Sequence, residues 1–178
     1  VFLAALTNVE FHITVYDTWT DTPKQYDNVL GVSAAAITDT NAFLHWEVFV
    51  TPGIPIVTRD KPPDVRETYF QAMAATLIYG VRDAVLVDAF MTVTQANALA
   101  DWVAARGRNL KTIYITHGHG DHWFGVATRL ERFPNAKAVA TPNAVRVMRQ
   151  NASPEALEGV WKVSFPGQIP DRLVIAEE

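Results

Sequence analysis

The 178-residue chain contains no cysteine. That absence removes disulfides, cysteine-based zinc sites and thiolate nucleophiles together, and leaves the compartment open, because secreted and cytosolic proteins both do without Cys. Lys and Arg never form a run longer than a pair, and a net charge of −4 with a pI near 5.7 gives no basic field. Nucleic acid is therefore excluded as a partner class, and the acidic balance fits a cytoplasmic enzyme acting on a small molecule. No apolar stretch approaches the roughly 20 residues of a membrane span. Val1-Phe2-Leu3-Ala4-Ala5-Leu6 is apolar but short, with no Lys or Arg before it, so it makes a poor signal peptide. Repeats, low-complexity tracts and Gly-rich phosphate loops are absent, and so is an initiator Met, which predicts a processed or incomplete chain.

What is present suffices for one sizeable core: 49% hydrophobic and 19% charged residues is ordinary globular composition. Residues 1–65 are the poorly readable part. Val9 to Tyr16 alternates loosely as a strand before a polar turn through Asp21-Thr22-Pro23-Lys24, and Val29 to Ile37 fits a strand or a short helix. Trp46 to Val50 alternates cleanly as a strand ended by Pro52-Gly53. From 66 to 178 the pattern is α/β. Ala74 to Tyr79 and Ala84 to Asp88 read as strands joined at Gly80, near-continuously apolar as in a sheet covered on both faces. Thr94 to Arg106 has helical spacing and stops at Gly107, so it is a crossover helix leading to a parallel strand, Lys111 to Thr116. Further along, Val126 to Phe133 reads as a helix, Ala136 to Ala140 as a strand and Pro142 to Asn151 as a helix opened by its Pro. Ser153 caps another helix, and Leu173 to Ala176 reads as a last strand.

One stretch organises the rest. Directly after the strand ending at Thr116 comes His117-Gly118-His119-Gly120-Asp121-His122, four metal-type side chains within six residues. Neutral imidazoles offer nitrogen and Asp121 offers oxygen, a donor set that suits zinc and, less exclusively, iron or manganese. In near-extended geometry His117 and His119 fall on one side of the backbone and share an ion, while Asp121 and His122 begin the next turn and face a second. A lone His is usually a surface or hydrogen-bonded core residue, and His12 and His45 are read that way.

This stretch resembles the HxHxDH signature of the metallo-β-lactamase fold superfamily. Upstream, Thr76-Leu77-Ile78-Tyr79-Gly80 and Asp83-Ala84-Val85-Leu86-Val87-Asp88 resemble the paired strands that end in the superfamily's motif Asp, and the likeness covers roughly residues 70 to 178. It is specific for the superfamily and weak for substrate, since lactamases, lactonases, thioester hydrolases such as glyoxalase II, alkylsulfatases, nucleases and an iron persulfide dioxygenase group share it. Many members continue the motif as DHxGG, where this chain has Asp121-His122-Trp123-Phe124-Gly125.

The resemblance implies an α/β fold, the amino-terminal half of a metallo-β-lactamase-like αββα sandwich with a mixed sheet. It implies two zinc ions in the complete site, held by His117, His119, Asp121 and His122, with attack of a metal-bound hydroxide on an ester, lactone, thioester or amide. Asp121 would orient the hydroxide and accept its proton, and Asp88 would orient a ligand imidazole from behind. The family's full site also uses a third His, a bridging Asp and a last His from later strands. This chain has no His after His122, and its only later Asp is Asp171. The expectation is therefore a fragment of a longer hydrolase that self-associates through an exposed sheet face. A mononuclear iron redox enzyme and a non-catalytic remnant are the alternatives.

Overall fold

The computed structural model describes residues 44–58, 64 and 66–178, together with two strands, β1 (Phe11–Asp17) and β2 (Thr22–Asn28). The chain divides into two compact units, Val1–Ala42 and Phe43–Glu178. In the first, β1 and β2 pair antiparallel, Phe11 opposite Asn28 and Asp17 opposite Thr22. Thr22, Pro23 and Lys24, expected in a turn, lie in β2 instead. A two-stranded ribbon has an outward edge at every strand, where a proline without an N–H is tolerated. The stretch Val29 to Ile37 lies outside the described residues.

The second unit is built on a five-stranded mixed sheet in the order β3-β6-β7-β8-β9: β3 (His45–Thr51), β6 (Met73–Tyr79), β7 (Asp83–Val87), β8 (Asn109–Ile115) and β9 (Lys137–Ala140). β3 pairs antiparallel with β6 and β6 with β7, while β7, β8 and β9 run parallel, the β7–β8 pair as the crossover helix requires. A small antiparallel pair, β4 (Ile54–Ile56) with β5 (Thr68–Phe70), was not foreseen; Thr68 Oγ1 donates to the Ile56 carbonyl at 2.7 Å.

Alternation along the strands separates the two sheet faces. Ala75 and Leu77 of β6, Ala84 and Leu86 of β7, Ile113 and Ile115 of β8 and Ala138 and Ala140 of β9 are buried in the main core. The opposite face carries Val48, Val50 and Tyr114, which are exposed. The helices supply the other side of the core. α1 (Val93–Ala104) buries Ala96, Leu99, Ala100 and Val103, an i, i+3, i+4, i+7 stripe. Its start is fixed by a reciprocal cap in which Thr92 Oγ1 accepts from the Gln95 N–H and Gln95 Oε1 accepts from the Thr92 N–H. Gln95 Nε2 then donates to Thr51 Oγ1 at 3.3 Å, tying the helix to β3. Trp102 lies partly buried on α1 with its ring 5.4 Å from that of Phe49.

After the metal-type stretch come α2 (Gly120–Trp123), α3 (Val126–Arg132) and α4 (Pro142–Asn151). Thr141 caps α4 and Pro142 opens it, so the missing proline N–H falls where no helical partner exists. Ser153 caps α5 (Pro154–Ala156), which continues through a π-helical turn, Leu157–Trp161, into α6 (Lys162–Ser164). The expected last strand is corrected: residues 173–176 pair with nothing as a strand. Instead Glu177 alone bridges β9, donating its N–H to Ala138 and accepting from Ala140.

Candidate metal centre

β8 delivers the chain to the site. Past Ile115 the backbone leaves the sheet, His117 and His119 follow in an irregular loop, and His119 is the residue preceding α2, with extended backbone at φ −72° and ψ 142°. Asp121 and His122 fall in α2 itself, so the second pair does begin the next turn. Gly118 is where the loop meets α4: a methyl there would lie 2.4 Å from the Ala144 carbonyl oxygen and 2.5 Å from the Met148 nitrogen. No side chain fits, which presses the loop flat on the helix. Trp123, fully buried, donates from Nε1 to the Gly118 carbonyl at 3.0 Å and closes the loop on itself.

Asp88 arrives from the end of β7 in left-handed backbone, φ 64°, and is buried. Its carboxylate accepts from the Thr116 N–H at 2.9 Å and from Thr116 Oγ1 at 2.9–3.0 Å, and its Oδ2 lies 2.7 Å from His122 Nδ1. On the other side of the same ring, His122 Nε2 is 3.4 Å from Asp121 Oδ2. His122 is thus gripped between two buried carboxylates. Burial alone would lower its pKa, but the hydrogen bonds to Asp121 and Asp88 and their charges outweigh it and raise the imidazole to about 9. For Asp121, burial pushes the carboxyl up, while the His122 hydrogen bond and charge carry it below its usual value. His117 is held below the ordinary imidazole value by burial and by the neighbouring His122 and His119.

The structure brings three of the four expected ligands into one group: one donor atom each from His117, Asp121 and His122 lies within 4.8 Å of the others. The His117 and His122 rings are 3.8 Å apart between centroids, and His119 stands edge-on to His117 at 4.9 Å. This grouping mixes the two pairs that the spacing suggested. Buried carboxylates form the floor, and the exposed His117 and His119 form the rim. The donor set suits a divalent ion. With Nδ1 engaged by Asp88, the ring offers Nε2, on the same side as the Asp121 oxygen.

Elsewhere, His45 is exposed at the start of β3 with its ring 5.6 Å from that of Tyr79, and Asp171 is exposed near the carboxyl end. Neither belongs to the described group. Two contributors were not singled out from sequence. Thr116 anchors Asp88, a role hinted at only by its place between strand and motif. Arg129, fully buried on α3, gave no signal at all, since an Arg on a short amphipathic helix reads as solvated.

Residues 72–176 match the family model of the metallo-beta-lactamase superfamily. The chain belongs to that superfamily. Its members are mostly metal-dependent hydrolases, usually zinc-binding, which agrees with the His/Asp group just described. A similar curated relative is a hydroxyacylglutathione hydrolase from Francisella tularensis subsp. novicida (strain U112), 36% identical over 64 residues, which are 36% of this chain and 24% of the relative. The match thus spans about a quarter of that protein's length. Among solved structures, the Rm3 metallo-beta-lactamase is 28% identical over 42% of this chain and 28% of its own, with a TM-score of 0.37. MEM-A1, a subclass B3 metallo-beta-lactamase isolated from a soil metagenome library, is 21% identical over 60% of this chain and 39% of its own, with a TM-score of 0.43. No helix among the described residues is long and apolar enough to cross a membrane.

Proposed function

We propose that this chain carries the amino-terminal metal-binding part of a zinc-dependent hydrolase that opens a small ester, lactone, thioester or amide. His117, His119, Asp121 and His122 hold the metal, and the observation that carries the reading is the grip of Asp88 and Asp121 on the two nitrogens of His122. When bound, zinc supplies a water acidified to a pKa of about 7 and polarises the substrate carbonyl. The chain's own residues do the rest. Asp88 keeps the His122 Nδ1 proton and fixes the ring plane, with Thr116 holding the carboxylate in turn. Asp121, buried and ionised, is the group that orients the attacking water and takes its proton. The hydroxyacylglutathione hydrolase relative makes a thioester the first substrate to test.

Titration of the metal-stripped chain with zinc, manganese and ferrous iron, followed by assay against a hydroxyacylglutathione thioester and a simple lactone, tests the proposal. With no His after His122, this chain should bind zinc weakly and turn over near background; a longer parent supplying the remaining donors should turn over robustly. Failure of the chain to bind any of the three metals, or undiminished binding by His122→Ala, would overturn it. A second reading rests on one observation: two imidazoles and one carboxylate form the described group, the donor set of non-haem iron oxygenases. Iron retained in preference to zinc, with oxygen uptake, would favour it.

A further inference from the structure

Arg129 is an anomaly in the core. It is fully buried on α3, makes no described salt bridge, and leaves its Nε without a partner. A desolvated guanidinium is costly, whereas an unbranched apolar side chain such as Met carries no such desolvation cost. Its donors go to backbone instead: Nη1 donates to the Ala96 carbonyl in the first turns of α1, and Nη2 to the Ala89 carbonyl at 3.5 Å.

Ala89 sits in a turn that needs holding. The residues on either side, Asp88 and Phe90, both adopt left-handed backbone at φ 64° and 63°, a conformation non-glycine residues resist. Three further contacts close on the same turn. The Ala89 N–H donates to the His122 carbonyl at 2.7 Å, the Gly125 N–H donates to the Phe90 carbonyl at 2.9 Å, and a methyl on Gly125 would lie 2.2 Å from the Ala89 oxygen. The Asp88–Thr92 turn is therefore clamped between the metal loop and α3, and Arg129 is the one side chain in the clamp whose donors reach both the turn and α1.

We propose that Arg129 is a positioning residue for the metal centre: by holding the Ala89 carbonyl it fixes the left-handed turn that aims Asp88 at His122. The inference rests on the metal-site reading above, and its test has an arm that needs no metal. In the 178-residue chain, Arg129→Met, Asp88→Asn and the double variant are compared for zinc affinity by chelator competition, with far-ultraviolet circular dichroism confirming fold. Arg129→Met should weaken zinc binding by about 10-fold or more, the scale of losing an outer-shell partner. Because both residues act through one hydrogen bond, the double variant should bind no worse than Asp88→Asn within about twofold. A folded Arg129→Met with wild-type affinity, or losses that multiply, would refute the proposal.

Should Arg129→Met fail to fold, Arg129→Lys keeps the charge and loses the fork. In the metal-free protein, the proton NMR signal of His122 Nδ1–H in its Asp88 hydrogen bond should then broaden through faster exchange with water. A signal as sharp as in the wild type would overturn the proposal. If instead the wild type binds no zinc while that NMR difference appears, the functional reading fails and the positioning role stands.

Discussion

The metal-free chain should lose stability as pH rises from neutrality, because His122 is held protonated between two carboxylates. Its folded pKa of about 9 stands above the unfolded value of 6.5. A group raised in the folded state contributes stability that is fully present below the unfolded value and is lost as pH climbs through the folded one, so the window is pH 6.5 to 9. At about 1.4 kcal/mol per tenfold, the rise corresponds to roughly 3 kcal/mol. Part of that is the same ion pair that depresses Asp121, so about 2 kcal/mol is the expected measurable loss. Asp121, lowered in the fold, works the opposite flank: its contribution is present above the ordinary carboxylate value and disappears as pH falls through the depressed one. Urea unfolding in the presence of a chelator, at pH 6, 7.5 and 9.5, reads the effect. Asp88→Asn removes one of the two carboxylates and should flatten the alkaline limb. Excess zinc should reverse its sign, since binding through Nε2 displaces a proton and tightens with pH. Stability that is level or rising between pH 6.5 and 9 in the metal-free wild type would refute the grip on His122.

Gly118→Ala should cost about 1–3 kcal/mol in urea unfolding, because its methyl meets α4 backbone and not a movable side chain, and zinc affinity should fall with it as the loop is displaced. In a protein that carries the complete metal site, His119→Ala should lose a metal and most activity together. Asp121→Asn, by contrast, should keep about one equivalent of metal and lower kcat by roughly 10²; elemental analysis beside steady-state kinetics decides, and two retained metals with normal kcat would mean Asp121 is not the base. On the sheet face opposite the helices, Val48 and Val50 are 39% and 62% exposed on an edge strand. The chain should accordingly bind an apolar-surface dye, and Val50→Lys should reduce that binding without changing the unfolding free energy by more than about 0.5 kcal/mol.

The sequence by itself determined whatever depends on neighbours within a turn or two. β6, β7 and β8 follow from apolar and β-branched runs, α1 from helical spacing ended at Gly107, α4 from its opening Pro, and the parallel β7–β8 pair from the helix between them. The metal-type stretch was legible for the same reason, since its four side chains lie within six residues. Asp88 could be proposed behind an imidazole only through the family resemblance. Which imidazole it meets was settled in three dimensions, where the turn after β7 meets α2 and His122 is 34 residues away in sequence. Pairing across distance decided the rest. β2 is a polar, proline-containing run that is a strand only because β1 lies beside it, and residues 173–176 form no strand although Glu177 just beyond them bridges β9. The charged state of His122 and the burial of Arg129 belong to the same class. Each is set by carboxylates, carbonyls and excluded water brought together from separate elements, and no periodicity along the chain encodes that convergence.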